Sequence, residues 1–263
     1  MINIPFGFTP PFFDRFCDLL QECGVILRIL VKSITTSKEN INMINILLEG
    51  YDIDAPWLYS ELKKYIKPNY RVAVVAFSFR DSRVRSLEDW NILYKKDSGK
   101  FYGAVVGGFC SYGIPEDNVT FINYFTDTKE SAKEKIERAD IVYFLGGLPD
   151  RMMDRIKEFE LYDVLMKHNG IVMGYSAGAV IQLAEYHLSP DEDYSEFKYY
   201  EGLPYLNGFY LEVHYEETDV QKAAIRRVLS ERNKTVYATV CMKGAVLVDN
   251  GVIKLLGDVK EYK

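Results

Sequence analysis

The chain has 263 residues, 48% of them hydrophobic and 27% charged, with a formal net charge of −6 at pH 7. That length and balance suit one large α/β domain with a substantial core. The acidic charge, with no long Lys/Arg cluster, argues against a nucleic-acid partner. Cys17, Cys23, Cys110 and Cys241 lack CxxC spacing. They read as free thiols in a reducing compartment, so neither a disulfide framework nor a metal site is expected. No apolar run reaches the roughly 18 residues of a membrane span. Asp14, Asp18 and Glu22 break up the apolar N-terminus, which is not that of a signal peptide. The expected location is cytoplasmic, with no membrane partner and no cofactor.

Residues 1–42 read as an N-terminal extension. They open on an aromatic, proline-punctuated segment, continue with an amphipathic helix or a helix and strand over 12–34, and end in a polar stretch. Met43-Ile44-Asn45 repeats the opening Met1-Ile2-Asn3, and the α/β pattern starts there, so the domain is expected to span 43–263. A buried strand over 44–48 leads to a helix over 54–66 and a second buried strand over 71–79. Helices over 87–94 and 102–112, a strand over 119–124 and a helix over 129–139 opened by Thr128 come next. Strands over 141–145 and 171–175 flank one helix around 150–166. Continuous apolar strands alternating with helices imply a mostly parallel sheet covered on both faces. This is a three-layer, doubly wound α/β fold of flavodoxin-like type. Past residue 176 come a polar loop over 189–197, a strand over 210–215, a helix over 219–231, and a C-terminal β-hairpin turning at Asn250-Gly251.

The most informative segment is Ile171-Val172-Met173-Gly174-Tyr175-Ser176-Ala177-Gly178-Ala179. An apolar strand running into Gly-Tyr-Ser-Ala-Gly and then a helix is the pattern of a nucleophile elbow, whose sharp turn needs small neighbours around the serine. A tight strand-to-helix turn alone would demand the same residues, so the context must supply a base, an acid and oxyanion donors. The amide of Ala177 is one donor. The strand ending in Gly146-Gly147, one βα unit earlier, offers the second at Gly147. Of three histidines, His168 reads as a solvated helix cap and His187 as a core or capping residue. His214, at the end of a strand, reads as the base. For the acid, Asp191 is favoured because Pro190 restricts its backbone. Its neighbours Glu192 and Asp193 stay open, as does Glu212, which shares a strand face with His214. A solvated acidic loop is the plain alternative for the 191–193 cluster.

These pieces together resemble the peptidase E (aspartyl dipeptidase) and cyanophycinase family of serine peptidases, whose sheet is akin to that of the class I glutamine amidotransferases. The matching segments are Phe144-Leu145-Gly146-Gly147, Gly174 to Ala179, Gly202-Leu203 with Leu206, and His214-Tyr215 followed by Arg226 and Arg227. The resemblance implies Ser176 as nucleophile, His214 as base, an acid within 191–193, and Gly147 and Ala177 as oxyanion amides. It also implies a small peptide substrate, with an N-terminal Asp dipeptide as one candidate. Two positions depart from the family pattern, Leu148-Pro149 and Met242-Lys243 before Gly244, and both bear on substrate choice. The competing reading is a catalytically silent, amidotransferase-like binding or regulatory module. An ordinary α/β-hydrolase esterase is disfavoured by the short span between Asp191 and His214. A homodimer is left open.

Overall fold

The computed structural model describes residues 43–263. The expected N-terminal extension and its helix lie outside the described residues. Five short strands, β1 (Ile44–Leu48), β2 (Val72–Val75), β3 (Val119–Ile122), β4 (Ile141–Phe144) and β5 (Ile171–Tyr175), lie parallel in the spatial order β1-β5-β4-β2-β3. Each is apolar along most of its length because helices cover both faces. Alternation assigns the faces. Val72, Val74, Ile141, Tyr143, Ile171 and Met173 pack on one side, while Ala73, Val75, Val142, Phe144 and Val172 pack on the other.

The first face is covered by α1 (Pro56–Leu62), α2 (Leu87–Tyr94) and α3 (Tyr102–Cys110), through residues such as Leu58, Trp90 and Phe109. The second is covered by α4 (Lys129–Glu137), α5 (Pro149–Glu158) and α6 (Tyr162–Lys167), through Ile136, Ile156 and Leu165. Thr128 caps α4 as expected, in a reciprocal box with Ser131. The single helix expected around 150–166 is two, α5 and α6. Glu160 between them adopts φ 54°, which ends the first helix in a left-handed turn.

After β5 comes the four-residue helix α7 (Ala177–Val180), then a separate antiparallel hairpin of β6 (Glu185–Leu188) and β7 (Lys198–Glu201) around the expected polar loop. The chain rejoins the main sheet through β8 (Tyr210–Tyr215), α8 (Asp219–Arg232), β9 (Val236–Asp249) and β10 (Val252–Tyr262). The terminal hairpin turns at Asn250 (φ 50°) and Gly251 (φ 84°), both positive as a type I′ turn requires. Its arms are far longer than the apolar runs suggest. The second half of β9 pairs antiparallel with β1, while its first half extends past the end of β1 and pairs parallel with β8. Thus β8 points toward the C-terminal edge of the parallel strands, and its last residues arrive where β1 and β5 end. Among the described residues no helix is long and apolar enough to cross a membrane.

One buried cation ties the edge loops together. The Arg155 guanidinium on α5 donates to the carbonyls of Phe77 and Phe79 (2.8 Å for the latter), pairs with Asp81 at 2.5 Å, and stacks 3.6 Å from the Phe79 ring centroid. Arg155→Met should keep the volume and strand both carbonyls, while Asp81 stays solvated and beside Arg151. We expect a loss of about 3 kcal/mol in unfolding free energy, read by urea denaturation; a loss under about 1 kcal/mol would refute this role.

Candidate active site

Ser176 follows β5 with φ 51° and ψ −115°, a strained conformation for a residue with a side chain. The strain persists because both flanks are fixed. The Ser176 amide donates to Leu48 O at 3.0 Å, tying the turn to the end of β1. On the other flank α7 sits hard against β4: a Cβ on Gly178 would lie 2.1 Å from Phe144 O, so only glycine fits. The serine hydroxyl is thereby held at the C-terminal edge, half-buried.

His214 Nε2 lies 2.7 Å from Ser176 Oγ, the reach that a nucleophile and its base require. The histidine reaches this position through a β-bulge. Between Glu212 and Tyr215, β8 carries one residue more than β9 opposite, and His214 takes φ 55°. The bulge turns the imidazole out of the strand's alternation, so Glu212 and His214 do not share a face. Glu212 is buried and serves a different histidine, accepting from His187 Nε2 at 2.7 Å and from Ser189 Oγ at 2.8 Å.

The partner of His214 is Glu49, not Asp191. Glu49 Oε1 lies 2.6 Å from His214 Nδ1, and both carboxylate oxygens lie 3.0 Å from the His214 amide. Glu49 is 1% exposed and follows β1, whose register sets Leu48 beside Tyr175 and so brings Glu49 next to the serine. Thr239 Oγ1 donates to its other oxygen. Asp191 is exposed, and its Oδ1 accepts from the amides of Asp193 (2.8 Å) and Tyr194 (2.9 Å). A fixed backbone at Pro190 positions the carboxylate for its own loop rather than for the histidine. Asp193 pairs with Arg80, and Glu192 is exposed. In sequence, the available signal for Glu49 is an acid placed directly after a buried strand that is apolar but for Asn45.

Gly147 has φ 140°, and a Cβ there would lie 2.3 Å from Ser78 O. The turn is held by Ser78, which accepts from the Leu148 amide at 2.7 Å and donates its hydroxyl to Gly146 O at 2.5 Å. Among the described residues, the amides of Gly147 and Ala177 have no acceptor. His187 is buried on β6, as a core reading expects. His168 does cap α6 but is 8% exposed rather than solvated, and burial pushes its pKa down. A cavity of about 330 Å³ opens beside His214, with Pro190, Asp191, Val213, Glu216 and Gln221 in its wall. No cluster of three or more His, Cys, Asp or Glu among the described residues is arranged to hold a metal ion.

The model of a family described as Peptidase family S51 matches residues 96–256, more than half of the chain. Among solved structures, the chain is similar to one described as a "putative peptidase E protein" from Listeria monocytogenes EGD-e. The TM-score is 0.56 at 15% identity, covering 84% of this chain and 99% of that one. It is also similar to a peptidase from an acI-B1 Actinobacterium, with a TM-score of 0.56 at 16% identity, covering 84% of this chain and 93% of that one. At such identities the neighbours share its fold. No curated protein matches.

The hydrogen bond to Glu49 is the main reason the His214 pKa is held above its ordinary 6.5; burial opposes it, and the charges of Glu49, Asp191 and Glu212 reinforce it. A raised folded-state pKa stabilises the fold below the unfolded value, and that contribution is lost as pH rises through the folded value. A histidine that acts as base must be neutral, so if His214 is the base kcat/KM should rise over that same interval. In Glu49→Gln the acid limb should move to lower pH, and the rate should fall on the order of 10³-fold or more because the amide favours the wrong tautomer. Asp191→Asn should leave the rate within about threefold of wild type. An acid limb that stays in place in Glu49→Gln would remove Glu49 from the role.

Proposed function

The chain belongs to peptidase family S51, a family of serine peptidases, and we propose that Ser176, His214 and Glu49 act in it as nucleophile, base and orienting acid. The observation that carries this reading is the unbroken run of contacts from Ser176 Oγ to His214 Nε2 at 2.7 Å and from His214 Nδ1 to Glu49 at 2.6 Å. Ser176 Oγ attacks the scissile carbonyl carbon while its proton passes to His214 Nε2. Glu49 keeps the ring's other proton on Nδ1 and balances the imidazolium charge. The amides of Gly147 and Ala177 stabilise the oxyanion. The imidazolium then donates its proton to the departing amine, leaving an acyl-serine that water hydrolyses by the same route in reverse.

The substrate is a small peptide, and an N-terminal Asp dipeptide is the first to test, by resemblance to the aspartyl dipeptidases. The leaving amine must lie on the His214 side of the serine, where the cavity opens. A chemical probe avoids dependence on the substrate. A fluorophosphonate should label wild type at Ser176 and leave Ser176→Ala unlabelled. Against a panel of dipeptides and isoaspartyl peptides, Ser176→Ala should lose several orders of magnitude in kcat with its fold intact. Residual turnover within about tenfold of wild type would rule out nucleophilic catalysis by this serine.

A further inference from the structure

A carboxylate that orients a histidine must itself be oriented. The last torsion of a glutamate is broad and nearly two-fold, so hydrogen bonds rather than rotamer preference fix its plane. Glu49 Oε1 takes the ring N–H of His214, and the His214 amide sits 3.0 Å from both oxygens, so it does not tell them apart. Apart from the histidine that is to be oriented, what fixes the carboxylate plane is therefore the donor to Oε2. The donor to Oε2, apart from that shared amide, is the hydroxyl of Thr239, a residue 0% exposed beside a carboxylate 1% exposed. We propose that Thr239 is a positioning residue of this site: its hydroxyl locks the plane of the Glu49 carboxylate, and through it the imidazole of His214. The proposal rests on reading Ser176, His214 and Glu49 as one catalytic unit.

The path of β9 supports it. Thr239 pairs with Val259 of β10, yet the next pairing toward the turn is Gly244 with Gly257. Residues 240–243 therefore stand opposite Asp258 alone, with Met242 at φ 60° inside the excursion. The detour folds Gly244 back on the threonine, where an added Cβ would lie 2.7 Å from Thr239 Cβ and 2.7 Å from Asp258 O. Gly244 O also accepts from the Glu49 amide at 3.0 Å. One irregularity thus fixes the backbone of Glu49 through Gly244 and its carboxylate through Thr239. Thr239 is β-branched, so its hydroxyl has few directions in which to turn.

The test uses fluorophosphonate labelling of the full chain, which reads activation of Ser176 without a known substrate. Thr239→Val removes the hydroxyl with little change of shape, and Thr239→Ser retains it. Labelling by the Val variant should slow by about tenfold to a hundredfold, the weight of one hydrogen bond to a charged group, while the Ser variant stays within about threefold of wild type. The acid limb of the labelling rate should move to lower pH in the Val variant only, as His214 loses part of the hold of Glu49. If thermal melting shows that Thr239→Val is unfolded, Thr239→Ala takes its place with the same expectation. Equal rates in wild type and the hydroxyl-free variant, or equal losses with and without the hydroxyl, would overturn the assignment to Thr239. A wild type that does not label would instead overturn the catalytic reading beneath it.

Discussion

One buried carboxylate meets two deficits at once. The bulge in β8 turns His214 away from the regular ladder, so its amide needs another acceptor. Glu49, removed from water, needs donors for an ionised group that is costly to bury alone. The two answer each other, with the amide and the ring N–H of a single residue both directed at the same carboxylate. The positive φ of His214 is therefore supported by its electrostatics, and the electrostatics depend on the positive φ. Such reciprocity explains how an exposed histidine on an irregular strand keeps a defined direction; its side chain is 57% exposed and has little packing to hold it.

A second chain of support serves the other side of the serine. Arg155 gathers the loop after β2, which contains Ser78, and Ser78 in turn holds Gly146 and Leu148 through its carbonyl and its hydroxyl. The polar loop over 189–197 is pinned to the same region. Asp193 meets Arg80 from the β2 loop, and the Tyr194 hydroxyl donates to Asp150 at the start of α5. Asp191 and Asp193, which suggest a catalytic acid in the sequence, thus hold the loop that forms a wall of the cleft beside His214.

What the sequence reveals follows the range of the interactions. The strands, the three layers and the elbow rest on local periodicity and on small residues within a pentapeptide, and they are legible. His214 is legible as a strand-end histidine with few competitors. Glu49 is not, because its relation to His214 spans 165 positions and depends on β9 bridging β1 and β8. It also precedes residues 96–256, the span of the family match. The pairing of Glu212 with His214 fails for a physical reason: strand alternation holds only without a bulge. The single helix around 150–166 fails because Glu160 is a left-handed residue that no glycine advertises. His168 looks solvated by its polar neighbours, yet its helix end is buried.

The position of β9 has a consequence in time. Glu49 comes early in the described chain, the serine lies in its middle, and the strand that joins the acid's neighbourhood to the base's is made of residues 236–249. The strands that fix the elbow, β1, β4 and β5, are all made before β9, but no nascent chain short of that segment has β1 and β8 bridged. The Ser176 elbow is thus separated from the neighbourhood of His214 until residues 236–249 have been made. A nascent chain that lacks residues 236–249 has Glu49 and His214 on two strands that nothing yet joins.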